Sequence, residues 1–491
     1  MTYQLPWRTQ YLSVLLVAAL MIGTVGASTL LVGAQNGNNT VGPAEISSCT
    51  VIDEPGRYIL TQDIEDPDAN VCVDIQASDV HFDGNSYTVD SGVNESVRTE
   101  VTEGPFPEPQ NVSVGIGIDT SESLSNVTVS NATVVNSIFG VYGTNLSDAR
   151  VEDATASNNT FGVFINNSSD SVVTDSAAMD NVVDGIVFES LGGRPVSNNT
   201  VSGSVTERNG ALGIAVGTAN DSMVSDSIAR ENGVDGILLF STKDTIVTNV
   251  TTSNNGDAGI KLLSGDGFAS SNNTVVDATS TGNLYGTLAA GHDEVTISNV
   301  TARENAVVGI SVNRSSNHTI TDNAIIDNGY IGLRVANAEG SVVSDNVILE
   351  TQGVKPADVP FPSGSVLLFN VSDTTFNENR VVGNNASGVV VRDGSDTVLL
   401  LSNNASANAR DGIVIDDSEA VALATNIAND NGDDGIEVNN SRQVWLLLNI
   451  LEGNDNQAVE ITDSRNVVRI DSVKELRDLL ERLFSEERTG D

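Results

Sequence analysis

Apolar and polar residues alternate in short runs that recur along most of the chain. In most repeats the first and third residues after a regularly spaced glycine are apolar, as at Ile237 and Leu239. This period of two is typical of a β-strand with one buried face, whereas a helix would show a period near 3.6. A second short strand is predicted upstream of each glycine, for example at 245–248.

The glycines set the length of the repeat. They follow one another mostly at intervals of 22 to 24 residues, and an asparagine stands four residues before most of them. They are Gly140, Gly162, Gly185, Gly213, Gly236, Gly259, Gly286, Gly309, Gly332, Gly388, Gly412 and Gly435. Asn and Gly tolerate the left-handed backbone of tight bends, and stacked Asn side chains can hydrogen-bond to one another. One unit cannot bury its apolar face alone, so the pattern predicts an all-β solenoid of stacked units.

The repeat resembles that of the right-handed parallel β-helix superfamily. It is most similar to NosD-type secreted repeats and to carbohydrate-binding and sugar-hydrolase-like β-helices, and the segment 49–90 looks like their usual first coils. The resemblance implies a right-handed parallel β-helix of about 15 coils of about 23 residues over residues 46–470. Enzymes, binding proteins and structural spikes all use this fold, so the fold alone does not decide the function.

The N-terminal residues 1–34 differ from the repeats. Residues 12–34 carry no charged side chain, and small residues precede two cleavage points, after Ala27 and after Ala34. This is typical of a signal peptide, and the alternative is a membrane anchor, because about 20 apolar residues span a bilayer. Residues 35–45 are predicted to be a polar linker. We therefore expect a secreted or cell-surface protein that meets the membrane only through an uncleaved N-terminal segment.

The C-terminal residues 471–491 are predicted to form a short amphipathic helix and a tail. Apolar residues such as Leu476 and Leu479 recur at helical spacing, and Ser472 with Glu475 forms a capping-box signal. The helix is predicted to cap the open end of the solenoid, which would protect the last strands from pairing with other chains. The alternative is an oligomerisation helix.

The charge of the chain limits its partners. The sequence has 66 acidic and 23 basic residues, which gives a formal net charge of −43. Such a field repels nucleic acids, so no nucleic-acid partner is expected. The acid-rich, Lys-poor composition resembles that of proteins from salt-loving organisms.

Two further features agree with export. Cys49 and Cys72 are the two cysteines of the chain, and an even number in an oxidising compartment predicts a disulfide, the alternative being two buried thiols. Asn-x-Ser/Thr sequons are frequent, for example at Asn126 and Asn370, so glycosylation is expected.

The second residue after each glycine is predicted to point outward and to form an apolar stripe. The stripe contains Tyr142 and Phe164 and is interrupted by Lys261 and Arg334. Because aromatic faces stack against sugar rings, we predict that these four residues and Arg230, from an Arg-rich turn, bind a glycan. The alternatives are β-propensity alone or cover by loops.

The acidic residues include one candidate metal site. Asp411 and Asp434 each precede a repeat glycine and are 23 residues apart, hence on adjacent coils, and Asp416 lies nearby. Oxygen ligands of this kind suit Ca²⁺, and the alternative is ordinary acidic surface. The histidines His292 and His318 are one coil apart but offer no evident copper site.

Three functions follow, of which the first is preferred. The chain binds or displays at the cell surface, engaging polysaccharide or a cell-surface glycan. The first alternative is a polysaccharide lyase, hydrolase or epimerase with a Ca²⁺-assisted carboxylate site, although no catalytic motif of such enzymes is recognisable. The second alternative is a NosD-like metal-handling protein.

Overall fold

Most repeats form one coil of three short strands, and the last coils have isolated bridges in place of the third strand. Within a unit successive coils stack in parallel register. The computed structural model describes residues 42–66, 69–93, 113–118, 123–190, 194–265, 270–355 and 364–486. The chain divides into two compact units, residues 1–257 with 265–269 and residues 258–264 with 270–491. Their described parts contain about 17 turns of a right-handed parallel β-solenoid, where the sequence predicts about 15. The predicted signal peptide or anchor at 1–34 and the linker residues 35–41 lie outside the described residues.

We name the three strands of a coil by their order. The glycine strand starts beside the repeat glycine, the second strand follows after a short bend, and the third strand precedes the next bend. In one coil of the first unit these strands are Phe139–Thr144, Leu146–Glu152 and Thr155–Ser157. Within a unit the glycine and second strands belong to one sheet, and the third strands form another.

The first unit contains all three rows of strands. Its glycine strands are Thr50–Ile52, Val71–Ile75, Val114–Ile118, Phe139–Thr144, Phe161–Asn166, Ile186–Glu189, Ile214–Asn220 and Ile237–Lys243. Its second strands are Ala44–Ile46, Gly56–Leu60, Val80–Asp83, Leu124–Ser130, Leu146–Glu152, Val172–Thr174, Thr200–Ser202, Met223–Ser225 and Ile246–Thr248, with Val196–Ser197 as an additional short strand. Its third strands are Ile64–Glu65, Thr88–Asp90, Thr133–Val135, Thr155–Ser157, Ala177–Met179, Val205–Glu207, Ile228–Arg230 and Thr251–Ser253.

The second unit repeats this plan and ends in a helix. Its glycine strands are Ala258–Leu263, Tyr285–Ala290, Val308–Ser316, Ile331–Glu339, Val366–Asn377, Val389–Arg392, Ile413–Asp416, Ile436–Asn439 and Val459–Thr462. Its second strands are Thr274–Val276, Thr296–Ser298, Thr319–Thr321, Val342–Ser344, Asp396–Leu401, Glu419–Ala424, Arg442–Leu447 and Arg465–Ile470. Its third strands are Thr279–Thr281, Thr301–Arg303, Ala324–Ile326, Val347–Leu349 and Arg380–Val382. Helix α1 is Val473–Glu486.

The predicted alternation of apolar residues forms the core of the coils. Val141 pairs with Val163, and Val163 pairs with Ile186, so the same position of successive coils forms one column. All three side chains are buried. In the second unit Ile310 and Leu333 pair in the same way and are also buried. The period of two therefore identifies the buried face correctly.

The repeat glycines are required by close stacking, which differs from the predicted reason. A Cβ atom on Gly162 would lie 2.5 Å from the carbonyl oxygen of Gly185, which no side chain tolerates. The bends themselves are left-handed at other residues, such as Asn158 with φ 55° and Asp180 with φ 56°. The repeat glycines thus permit the close approach of one coil to the next, and other residues, mostly Asn and Asp, take the left-handed positions.

Buried asparagines form the predicted ladders. In the first unit Asn181 Nδ2 donates to Asn209 Oδ1 over 2.8 Å, and Asn209 Nδ2 donates to Asn232 Oδ1 over 2.9 Å. A second ladder in the other unit follows the second strands, where Asn323 Nδ2 donates to Asn346 Oδ1 over 2.8 Å. These side chains also hydrogen-bond to buried backbone N–H and C=O groups at the bends, which would otherwise have no partner.

The predicted disulfide is present, and the predicted helix follows the last strand. Cys49 and Cys72 are bonded. At the start of α1, Ser472 Oγ accepts a hydrogen bond from Glu475 N over 3.3 Å, as the capping-box signal indicates. Ile461 faces the core side of the last coil, yet it is 47% exposed, so part of this coil stays uncovered. No helix in the described part of the chain is long and apolar enough to cross a membrane.

Candidate functional site

The predicted aromatic stripe is not an exposed surface. Tyr142 is 3% exposed and Phe164 is 1% exposed, so the expected outer stripe is covered at these two positions. Their rings are stacked with centroids 6.2 Å apart, and the ring of Phe139 lies 5.1 Å from that of Tyr142. Phe161 completes the group by stacking on Phe139 at 5.1 Å. Phe139 pairs with Phe161 and Tyr142 pairs with Phe164 on adjacent coils, which brings the four rings together. The rings pack on one another rather than against a sugar.

Two buried carboxyl groups lie in the coil that follows these rings. Asp184 Oδ1 accepts a hydrogen bond from Leu212 N over 2.9 Å, and burial raises the pKa of Asp184 to about 7. Glu189 Oε1 accepts from Thr218 Oγ1 over 3.0 Å, and burial raises the pKa of Glu189 to about 7. The carboxyl group of Glu189 fills the space beside Gly217, where a Cβ atom would lie 1.7 Å from Oε2. The repeat pattern gave no signal for Glu189.

Arg230 lies on a third strand, apart from the aromatic column, and its charge is compensated. Its Nη2 lies 2.6 Å from Glu207 Oε2. Glu207 also contacts Arg208, which in turn forms two hydrogen bonds to Asp180, of 2.8 and 2.9 Å. The four side chains form a surface network of alternating charge, in which Arg230 is half exposed.

Lys261 and Arg334 occupy one column of the second unit, and both are more buried than predicted. Lys261 is 1% exposed. Arg334 Nη1 donates to Ser311 Oγ over 3.3 Å, and burial lowers the pKa of Arg334 to about 10. Next to them the same face carries an apolar cluster. Its buried members are Val307, Val308, Tyr330, Ile331, Leu367 and Val390. The outer side of these glycine strands is therefore a second packed layer.

The acidic residues near the end of the second unit form a cluster, with one member different from the prediction. Asp411, Asp433 and Asp434 each place one carboxylate oxygen within 4.8 Å of the others. Asp416 is not part of this group, because it pairs with Arg392 at 3.2 Å. The predicted set of Asp411, Asp416 and Asp434 is corrected to include Asp433 instead of Asp416.

The cluster is held in place from neighbouring coils. Ser387 Oγ donates to Asp411 Oδ2 over 3.1 Å, and the backbone N of Asp434 donates to Asp411 Oδ1 over 3.2 Å. Burial and the charge of Asp411 raise the pKa of Glu437, and a hydrogen bond with Asp434 raises the pKa of Glu460. These groups are oxygen donors of high negative charge density, a set that fits Ca²⁺.

His292 and His318 are buried. His292 Nδ1 lies 2.8 Å from Asn273 Nδ2, and His318 Nε2 lies 2.8 Å from Ser315 Oγ. Burial lowers the pKa of each imidazole to about 4. Within the described ranges, neither histidine belongs to a group of three potential metal ligands.

One exposed aromatic residue was missed by the sequence analysis. Trp445 is 40% exposed and lines a shallow groove of about 490 Å³. The repeat pattern gives no signal for Trp445, because it occurs once on a second strand. The rarity of tryptophan, with two in the chain, is the feature of the sequence that singles it out.

Comparisons with known proteins identify the family but no activity. The family described as right handed beta helix region matches residues 69–206, 188–287, 270–404 and 362–472. No curated protein sequence matches the chain.

Several solved structures are distantly similar to the chain. The periplasmic alginate epimerase AlgG is 14% identical, with a TM-score of 0.41 over 63% of this chain and 78% of that chain. The A-module of the Azotobacter vinelandii mannuronan C-5 epimerase AlgE6 is 13% identical, with a TM-score of 0.36 over 85% and 91%. The enzymatically active domain of tailspike protein 2 from bacteriophage CBA120 is 11% identical, with a TM-score of 0.38 over 58% and 48%. Likenesses this distant carry no argument about function.

Proposed function

The chain belongs to the right-handed β-helix family, and we propose that it is an exported or cell-surface protein that binds polysaccharide. In this proposal Asp411, Asp433 and Asp434 hold Ca²⁺, and the ion bridges the protein to acidic sugar residues. The observation that carries the proposal is the meeting of three carboxylates within 4.8 Å. Tyr142, Phe164 and Lys261 are buried and have no part in it.

The ligand set favours Ca²⁺ over softer metals. Ca²⁺ takes six to eight oxygen ligands, and carboxylates with free lone pairs are its usual protein ligands. Each carboxylate offers about four acceptor sites, of which Asp411 uses two for Ser387 and the backbone of Asp434. The remaining lone pairs can bind the ion. The coordination positions of Ca²⁺ that the protein does not fill would take oxygens of water or of a sugar carboxylate.

The charge of the chain explains why an ion is needed. A net charge of −43 repels an acidic polysaccharide, and a bound divalent cation reverses the sign of the field locally. Burial and the charge of Asp411 raise the pKa of Glu437, and a hydrogen bond and the charge of Asp434 raise the pKa of Glu460, so negative groups lie close together here. A cation among these carboxylates relieves that repulsion, so the crowded negative charge favours the binding of Ca²⁺.

Export is supported by two features of the chain. The Cys49–Cys72 disulfide suits an oxidising compartment. The uncharged segment 12–34 has the composition of a signal peptide or anchor.

An enzymatic role of the same cluster is the second candidate. Glu437 and Glu460 retain a proton more readily than free carboxyl groups, as their raised pKa values indicate. A general acid in a lyase, hydrolase or epimerase needs such a group beside an ionised carboxylate. Incubation of alginate with the protein and Ca²⁺ would then change the length or the epimer content of the polymer, whereas a pure binding protein would leave both unchanged.

Calorimetric titration with Ca²⁺ tests the site. We expect the wild-type chain to bind Ca²⁺ and the variant with Asp411→Asn and Asp434→Asn to lose that binding. Asp416→Asn is the matched control, because Asp416 lies nearby but pairs with Arg392. Absence of Ca²⁺ binding by the wild type, or equal binding by the double variant, would refute the proposed site.

A further inference from the structure

We propose that the groove beside Trp445 binds a pyranose ring of a neutral polysaccharide, with the indole as the stacking platform. The groove lies on the second strands of the last coils, away from the strands that carry the carboxylate cluster. Its lining residues are Ala420, Gln443, Trp445, Asn466 and Val468. This binding needs no Ca²⁺, so it goes beyond the function proposed above.

The register of three neighbouring strands builds the groove. Trp445 pairs with Ala422 on one side and with Val468 on the other. Val444 and Leu446, which flank Trp445 in sequence, are buried in the core. Because side chains alternate along a strand, the indole must point outward.

The chain has a left-handed bend at the same position in each of these three coils. Ala420, Gln443 and Asn466 are all in the left-handed region, with φ values of 53°, 57° and 56°. These residues are equivalent in the three coils, so the strands bend together, and all three residues line the groove beside the indole. Two of the three carry carboxamides at its edge.

The chemistry of the lining matches a sugar. A pyranose ring presents C–H bonds on its faces and hydroxyl groups around its rim. The indole and Val468 offer the apolar surface for the faces, and the carboxamides of Gln443 and Asn466 offer both donors and acceptors for the rim.

The absence of charge in the lining favours a neutral sugar. None of the five lining residues carries a charge. Two arginines adjoin the groove without lining it: Arg442 contacts Glu419, and Arg465 precedes the lining residue Asn466. A sugar carboxylate would gain no cationic partner in the lining and would enter the field of a chain with net charge −43.

Tryptophan fluorescence provides a direct test. The chain has two tryptophans, so Trp7→Phe leaves Trp445 as the single reporter. Cellohexaose, mannohexaose and maltohexaose serve as neutral probes, and hexamannuronate serves as the acidic probe, each at millimolar concentration. We expect at least one neutral probe to change the emission of Trp445, in EDTA as well as in Ca²⁺.

Variants separate stacking from effects on folding. Trp445→Ala, followed by binding calorimetry, should weaken the association with the responding sugar by about tenfold, and Trp445→Phe should retain part of it. Ile246→Ala is the matched control, because Ile246 is a similarly exposed residue of another second strand. Asp411→Asn with Asp434→Asn should leave the response of Trp445 unchanged, which separates this site from the Ca²⁺ site. The proposal is overturned if no neutral probe changes the emission, or if only hexamannuronate does.

Discussion

Asn209 and Asn232 occupy the same position in adjacent coils, and Nδ2 of Asn209 donates to Oδ1 of Asn232 over 2.9 Å. Asn232 passes the pattern on, because its own Nδ2 donates to Asn255 Oδ1 over 3.0 Å. The backbone N of Asn209 also donates to the same Oδ1 of Asn232 over 3.1 Å. Each rung of the ladder therefore satisfies groups of two coils at once, and all of them are buried.

Removal of one rung should be costly. We expect Asn232→Ala to lower the free energy of unfolding by about 3 kcal/mol, because it leaves several buried partners without a hydrogen bond. Urea unfolding measures this change. Asn385→Ala is the control, because the exposed Asn385 has an ordinary backbone and its Nδ2 donates to Gln352 Oε1. Equal losses of unfolding free energy in the two variants would contradict the proposed contribution of the ladder to stability.

A side chain on a repeat glycine should disrupt stacking. We expect Gly162→Ala to lower the free energy of unfolding by at least about 2 kcal/mol, since its Cβ would lie 2.5 Å from the carbonyl oxygen of Gly185. Gly42→Ala should change stability little, because nothing lies within 4 Å of its Cβ position. Thermal unfolding followed by circular dichroism compares the two, and an unchanged melting temperature for Gly162→Ala would contradict the stacking argument.

The buried carboxyl groups should make stability fall as the pH rises from about 4 to about 7. The pKa values of Asp184 and Glu189 are about 7 in the fold and near 4 in an unfolded chain. Their contribution is fully present below pH 4 and is lost as the pH rises through 7, on the order of 3 kcal/mol for each group. Asp184→Asn and Glu189→Gln should each flatten the fall of the unfolding free energy between pH 4 and pH 8. A slope equal to that of the wild type would contradict the assigned burial.

The buried histidines should act in the opposite direction. The pKa values of His292 and His318 are about 4 in the fold, against an ordinary value near 6.5. The unfolded chain takes up protons between pH 6.5 and pH 4 that the folded chain does not, so stability is lost as the pH falls through this window. Replacement of either histidine by Asn should reduce that loss. Urea unfolding at pH 7 and pH 4.5 measures the loss of unfolding free energy between these two pH values. A loss in the variant equal to that of the wild type would refute the prediction.

The coil architecture was predictable because it depends on periodic features. The alternation at Ile237 and Leu239, the spacing of the glycines and the paired cysteines each reflect a constraint that every coil must meet. The reason for Gly162 was mistaken, since its role lies in the distance between coils, which a single repeat does not reveal.

The candidate site was predictable only in part, because it depends on packing between residues far apart in sequence. The period of two shows that Tyr142 leaves the core, but it does not show that Phe139 and Phe164 bury it. Asp411 and Asp434 were found from their spacing. Asp416 lies outside the group of three and pairs with Arg392 of the preceding coil, which its place in the sequence does not reveal. Trp445 shares its column with Ala422 and Val468, which are not aromatic, so the repeat gives no signal for it.

Retention on immobilised alginate tests the central claim, that Asp411 and Asp434 bind polysaccharide through Ca²⁺, most directly. We predict that the wild-type chain and the Asp416→Asn control are retained in Ca²⁺ and released by EDTA. The variant with Asp411→Asn and Asp434→Asn should pass through the column in either buffer. Retention of the wild type in EDTA, or retention of the double variant in Ca²⁺, would contradict the claim, as would free passage of the wild type in Ca²⁺.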